Sequence, residues 1–341
     1  MARKSFFDFF PPPNFLSMPA CGLSVSEDAV RFIRFKKGGH SGAHSGGHKS
    51  TLSDFGEVKL SAGTIVDGSP AKPEELVSAL RKLKQEHKIS FANVSLPDDK
   101  AYVFKSVINV PKDANIRDAV GFILEENIPI SPAETVFDFS VVTEDKATST
   151  DEVVVTAIPE EVTQLYLEIF NKAGIKVLSF DIEAEAVKRS VIQAGNDLPQ
   201  LIVNFTSGKV ILAVVSKFLV QFVSVINSTV DVSKKMMESK GKDDLSESVE
   251  LVALQNEIKK VCAYWYSGTA IKAKPLNKIK SIVVTGNVDP KLEIPNFLSK
   301  HLGMSAVLAN VWDNAFSLDD TIPPISFEDS LRFSAAIGSA L

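Results

Sequence analysis

A strand–turn–strand pattern opens each half of this 341-residue chain. Residues 22–35 and 202–215 each contain two apolar, strand-like runs around a short polar turn, with helical and strand segments after them. A repeated unit that alternates strands and helices predicts a duplicated α/β fold with a cleft between two lobes. Such clefts are common ligand sites, so the two polar turns are the first candidates for function.

A second pattern, at residues 101–180, stands between the halves. It has the order strand, helix, strand, strand, helix, strand. Phe137, Phe139 and Val141 alternate with polar residues, which indicates a half-buried strand, and Val162 and Ile169 belong to a helical repeat. This order predicts a small α+β module inserted into the first lobe.

Composition and turn signals give the other boundaries. The predicted segments are a Phe/Pro-rich leader at 1–19, lobe 1 at 20–100, a helix returning to lobe 1 at 181–199, lobe 2 at 200–325 with a helical insertion at about 227–275, and a C-terminal helix at 326–341. His40, His44 and His48 recur in a Gly/Ser segment. We interpret that segment as a loop rather than a metal site, because glycines disfavour the helix that would align the three rings.

Composition excludes several classes of protein. The net charge of −5 argues against a general nucleic-acid binder, and two cysteines cannot form a disulfide framework. Residues 210–226 are apolar, but Lys217 and Gln221 interrupt them, so they predict two buried strands rather than a membrane span. Asp8 and Pro11 break the apolar N-terminal stretch, so no export signal forms and we expect a cytoplasmic protein.

The chain resembles the PilM family of type IV pilus assembly proteins. The resemblance rests on residues 65–68 (Ile-Val-Asp-Gly), 181–187 (Asp-Ile-Glu-Ala-Glu-Ala-Val), 282–288 (Ile-Val-Val-Thr-Gly-Asn-Val) and 332–341, and on the two helices of the predicted module. It extends over nearly the whole chain from about residue 11. It implies an actin-like, ribonuclease H-like fold, with the small module in the place of an actin subdomain as in FtsA.

The resemblance also implies a function. A protein of this family is expected to be a cytoplasmic scaffold that holds the N-terminal tail of the membrane protein PilN in a groove beside the module. PilN and PilO would then connect it to the pilus motor, so that it meets the inner face of the membrane only through its partner. The sequence does not specify which residues form the groove.

Nucleotide-binding members of the actin fold need two turns with Asp and Gly at the phosphates and a Gly-rich turn at the adenosine. The resemblance places Ser24 and Ser26 in the first turn, and Asn204 and Thr206 in the second, so both aspartates and both glycines are absent. The third turn keeps Thr285, Gly286 and Asn287, and Glu183 occupies the position of a metal-supporting acid. These substitutions predict a degenerate site that has lost hydrolysis and needs no cofactor.

Several alternatives remain open. A register slip of one or two residues would leave Glu27, Asp28 or the Ser207-Gly208 pair to serve a weak nucleotide site. Hydroxyl groups also bind phosphate, so an ATP-regulated protein with ATP and magnesium as cofactors is the enzyme-class alternative. A GspL-like secretion adaptor and an FtsA-like division adaptor share the same expected architecture.

Overall fold

The computed structural model describes residues 20–37, 50–109, 115–145, 150–227, 249–268, 278–318 and 321–341. The predicted leader, the three loop histidines and much of the predicted 227–275 insertion lie outside these ranges. Within them, no helix has the length and hydropathy needed to cross a membrane.

Lobe 1 is built around a five-stranded sheet. Its first elements are β1 (Ala20–Val25), β2 (Ala29–Lys37), β3 (Ser50–Lys59), β4 (Ile65–Val66), β5 (Ser69–Pro70), α1 (Pro73–His87) and β6 (Phe91–Leu96). The inserted module follows with β7 (Tyr102–Asn109), α2 (Ile116–Asn127), β8 (Thr135–Asp145) and β9 (Thr150–Pro159), and the chain returns through α3 (Glu160–Ala173), β10 (Lys176–Ile182) and α4 (Glu183–Val191).

Lobe 2 repeats the arrangement. It contains β11 (Gln200–Thr206), β12 (Lys209–Ser216), β13 (Leu219–Asn227), α5 (Val249–Gly268), β14 (Ser281–Gly286), α6 (Ile294–Leu302) and β15 (Ser305–Leu308), and the chain ends with α7 (Phe327–Leu331) and α8 (Ser334–Ala340). The sheet orders are β10-β6-β1-β2-β3 and β15-β14-β11-β12-β13. In lobe 1, β1, β2 and β3 are antiparallel neighbours, and β6 and β10 run parallel to β1. In lobe 2, β11, β12 and β13 are antiparallel neighbours, and β14 and β15 run parallel to β11. The predicted duplication is therefore confirmed.

The module is smaller than the sequence predicted. Only β7, β9 and β8 form its sheet, and α2 covers one face of that sheet. The predicted boundary at residue 180 is wrong, because β10 pairs with β6 in the lobe 1 sheet and α3 buries Tyr166 and Phe170 in the lobe 1 core. The order of strands along the chain does not reveal which sheet a strand joins. The sequence therefore could not show that β10 belongs to lobe 1 and not to the module.

Other local differences have simple causes. The predicted C-terminal helix at 326–341 is two helices, since Phe333 (φ −94°, ψ 2°) leaves helical geometry between α7 and α8. The predicted span 210–226 is confirmed as two strands, β12 and β13. Every residue of β12 up to Val215 is buried, which explains its continuous apolar run.

Helices α4 and α8 cross at the base of the cleft. A Cβ atom added to Gly338 would lie 1.7 Å from the carbonyl oxygen of Ala186, so only glycine permits this backbone contact. Arg189 fixes the crossing from the side, because its Nε donates to the Gly338 carbonyl oxygen at 2.8 Å. The two lobes thus meet on a tightly packed pair of helices.

Candidate functional site

Most of the predicted cleft residues come together between the lobes. Seven of them line one cavity: Ser24 and Ser26 from β1 and its turn, Glu183 from α4, Asn204 and Thr206 from β11, and Gly286 and Asn287 from β14 and the turn after it. Thr285 is buried and donates to the Leu331 carbonyl oxygen at 3.3 Å. Ser207 and Gly208 form the turn between β11 and β12, with Gly208 at φ 76°, and do not line this cavity.

Arg31 is the cleft residue that sequence reasoning missed. Its side chain is 7% exposed, and it donates to Ser26 Oγ at 3.0 Å, Asp28 Oδ2 at 2.6 Å and Glu57 Oε1 at 3.1 Å. Burial by itself would raise the pKa of Asp28, but the Arg31 guanidinium more than offsets it, and the pKa lies below its usual value. The sequence carried one signal for this network, because Arg31 is a charged residue inside the apolar, strand-like run 29–35. A buried cation needs an acidic partner.

Glu183 is buried at the start of α4. Its Oε1 accepts a hydrogen bond from Asn204 Nδ2 at 2.8 Å, and this bond connects the interlobe helix to lobe 2. Asp98, also buried, accepts from the Ala184 backbone N–H at 3.2 and 3.1 Å and so caps the same helix. Burial raises the pKa of Glu183 to about 7, and burial together with the Glu183 charge raises the pKa of Asp98.

The residues of this cavity do not fit a magnesium nucleotide. Its free volume is about 20 Å³, room for about one water molecule, whereas small-molecule sites usually measure about 300–1,000 Å³. Magnesium is held by ionised carboxylates, yet Asp28 is engaged by Arg31 and Glu183 accepts from Asn204. The guanidinium thus supplies the positive charge in this part of the cleft.

We expect Glu183→Gln to stabilise the protein above neutral pH. The pKa of Glu183 is higher in the folded protein than in the unfolded chain. Its contribution to the free energy of unfolding is therefore complete below the unfolded pKa of 4.5 and is lost as pH rises through about 7. Glutamine keeps the acceptor for Asn204 but never ionises. The variant should therefore exceed the unchanged protein by about 3 kcal/mol in unfolding free energy at pH 8, and match it at pH 4.5. Urea denaturation at both pH values checks this, and an equal gain at both would contradict it.

A second charged cluster lies between the two lobes. The Lys209 ammonium, from the first residue of β12, lies 2.5 Å from Glu27 Oε1, 2.5 Å from Asp99 Oδ1 and 3.5 Å from Asp67 Oδ1. One oxygen atom from each of the three carboxylates lies within 4.8 Å of the other two. In the described ranges this is the one group of three acidic side chains that are so close together. Sequence reasoning named Glu27 only as an alternative and missed Lys209, because these residues are far apart along the chain.

A long groove separates the module from lobe 1. It encloses about 540 Å³. Its floor is the face of the module sheet that α2 leaves uncovered, with Val136, Asp138 and Ser140 on β8 paired to Ile158, Thr156 and Val154 on β9. Its other walls are α3, the end of β10 and the start of α4, with Leu219 at one end. A groove therefore lies between the module and lobe 1.

A second cavity of about 460 Å³ adjoins the groove, and Gln164 lines both. Glu134, Glu160 and Glu161 contribute carboxylates there, beside Ile130 and Pro159. The charges in the main groove are mostly neutralised, since Glu185 pairs with Lys188 at 2.6 Å and Asp181 with Arg189 at 2.5 Å. The floor of the groove thus combines apolar residues (Val136, Val154, Ile158) with polar ones (Asp138, Ser140, Thr156), and three glutamates line the adjoining cavity.

Comparison with known proteins agrees with this architecture. The family model "Type IV pilus assembly protein PilM" matches residues 22–235, and no curated protein matches the sequence. A solved structure described as a PilM-PilN type IV pilus biogenesis complex has a TM-score of 0.73 and 18% identity, covering 95% of this chain and 98% of that chain.

Two other solved structures are similar at lower scores. Ethanolamine utilization protein EutJ from Carboxydothermus hydrogenoformans has a TM-score of 0.48 and 11% identity, covering 96% of this chain and 91% of its own. The cytoplasmic domain of EpsL from Vibrio cholerae has a TM-score of 0.46 and 8% identity, covering 94% of each chain. The fold is actin-like, as predicted, and since the family match spans more than half of its length, the chain belongs to the type IV pilus assembly protein PilM family.

Proposed function

We propose that this protein is a scaffold of type IV pilus assembly, and that its groove binds the N-terminal tail of a PilN-like membrane protein. The observation that carries the proposal is the 540 Å³ groove between the module and lobe 1. The structure described as a PilM-PilN complex shares this fold over nearly the full length of both chains. Through such a tail, PilO and the pilus motor would be connected to a protein that stays at the inner face of the membrane.

The shape of the groove favours an extended segment. Five consecutive residues of β8, Val136 to Ser140, line it, and β8 is the edge strand of the module sheet. The five lining residues of β8 span about 17 Å, so an extended segment of five or six residues would run along them. Grooves of this form take peptides by main-chain pairing together with pockets for alternate side chains. Arg117 already occupies one main-chain acceptor, the Phe137 carbonyl oxygen, at 3.1 Å.

The charges of the groove favour a cationic, apolar segment. Glu134, Glu160 and Glu161 are exposed, and none forms a salt bridge with another described residue. Val136 on the floor is 48% exposed, an apolar surface that a partner would cover. An N-terminal tail carries a free α-ammonium group, which complements these three carboxylates.

We expect Val136→Lys to weaken tail binding by about tenfold or more, because it removes apolar contact area and brings a cation into the groove. Val107→Lys is the matched control. Val107 is 53% exposed on β7 of the same sheet and does not line the groove, so binding should not change. The probe is a fluorescent peptide of the first fifteen or so residues of the PilN-like protein from the same organism, followed by anisotropy. Equal affinities of the two variants would contradict the assignment of the groove.

We propose further that the protein does not hydrolyse ATP. The proposal is supported by the 20 Å³ cavity, by the Arg31 guanidinium inside it and by the raised pKa of Glu183. Incubation of the purified chain with ATP and magnesium should release phosphate at the rate of a no-protein blank. Turnover that rises in proportion to protein concentration, and disappears in an Asp28→Asn variant, would replace this proposal with the ATP-regulated alternative.

A further inference from the structure

The ion pair of Lys209 joins the two lobes. Lys209 belongs to lobe 2, at the turn between β11 and β12, whereas Glu27, Asp67 and Asp99 all belong to lobe 1. The three carboxylates come from three separate turns: the one between β1 and β2, the one between β4 and β5, and the one after β6. A single ammonium group therefore connects four separate segments of the chain.

The centre of the contact is buried. The Lys209 side chain is 9% exposed and Asp99 is 11% exposed. Burial would lower the pKa of Lys209, but hydrogen bonds to Asp99 and Glu27 outweigh it, and the pKa is raised. Without the ammonium, carboxylates whose oxygens lie within 4.8 Å of one another would repel, since like charges at this distance disfavour the compact arrangement.

The position of the contact gives it a mechanical role. The helices α4 and α8 pack tightly at Gly338, and the ion pair is a separate contact that joins turns of lobe 1 to the β11–β12 turn of lobe 2. In a ligand-binding cleft, a bound charged group would bring opposing turns together in this way.

We propose that Lys209 is an intramolecular latch, which holds the two lobes closed without a bound ligand. Its ammonium supplies, from lobe 2, the cation that draws the lobe 1 carboxylates across the cleft. The inference concerns closure of the lobes and does not depend on tail binding in the groove. It predicts that removing the Lys209 ammonium alone shifts the separation of the two lobes.

Distance measurements between the lobes test this proposal. The substitutions Gln85→Cys in α1 and Asn256→Cys in α5 introduce sites for spin labels, and double electron–electron resonance measures the distance between them. Both positions are exposed, so they are labelled in preference to Cys21 and Cys262, which are 0% and 7% exposed. The unchanged chain should give one narrow distribution without any ligand. Lys209→Met, which keeps the length and loses the charge, should raise the population at longer distances at least about tenfold.

Lys260→Met is the control, because Lys260 forms an ordinary exposed pair with Glu257 at 2.6 Å and should leave the distribution unchanged. If Lys209→Met gives the same narrow distribution as the control, the latch is overturned.

If Lys209→Met fails to fold, the variant Glu27→Gln/Asp99→Asn/Lys209→Met removes the carboxylate repulsion as well. A narrow, closed distribution in that triple variant overturns the proposal, and a broad one supports it. Tail-peptide anisotropy of the unchanged chain tests the groove separately.

Discussion

Gly338→Ala should lower the free energy of unfolding by about 3 kcal/mol or more. An added Cβ would lie 1.7 Å from the Ala186 carbonyl oxygen and 2.6 Å from its carbonyl carbon, both backbone atoms of α4. Backbone cannot rotate away as a flexible side chain can, so the two helices must separate. Because both lobes pack on this pair of helices, the loss should appear as a lower urea midpoint for the whole chain rather than as local fraying.

Gly121→Ala is the matched control for this prediction. Gly121 lies inside α2 of the module, and a Cβ there would meet nothing within 4 Å. Alanine is the better helix former, so this variant should be neutral or more stable by about 0.5–1 kcal/mol. Similar unfolding midpoints for the two variants would show that the α4–α8 contact is not tight in solution.

Arg31→Met should destabilise the protein by about 3–5 kcal/mol, as expected when one partner of a buried ion pair is removed. Methionine retains much of the side-chain volume but leaves Asp28 and Glu57 without the guanidinium that bonds both. The loss should be smaller at acidic pH, because protonated carboxyl groups no longer need a cation. Urea denaturation at pH 4 and pH 7.5 measures both effects.

Arg34→Met provides the comparison on the same strand. Arg34 is more exposed than Arg31, at 24% against 7%, and its contact with Asp54 is longer, at 3.3 Å. A partly exposed pair of this kind is worth about 1 kcal/mol or less. Equal destabilisation by the two substitutions would contradict the role given to burial, and a stable Arg31→Met protein would contradict the importance of the cleft network.

Some of the candidate site was predictable because it follows from local pattern. The repeated strand–turn–strand units predicted the two turns, the resemblance placed Ser24, Ser26, Asn204 and Thr206 there, and the structure brings these four to one cavity. The groove residues were not predictable. Asp138 and Ser140 were interpreted only as the polar face of a half-buried strand, and that face becomes a groove floor because lobe 1 stands opposite it.

The sequence by itself determined the duplicated α/β architecture, since alternation of apolar residues and turn signals act over a few residues. It also showed that Ser24, Ser26, Asn204 and Thr206 are neither acidic residues nor glycines. Only the tertiary structure decided that β10 and α3 join lobe 1, that Arg31 fills the cleft and that Lys209 meets three carboxylates. Those contacts join residues up to 182 positions apart, and local patterns carry no information about which distant charges will be buried together.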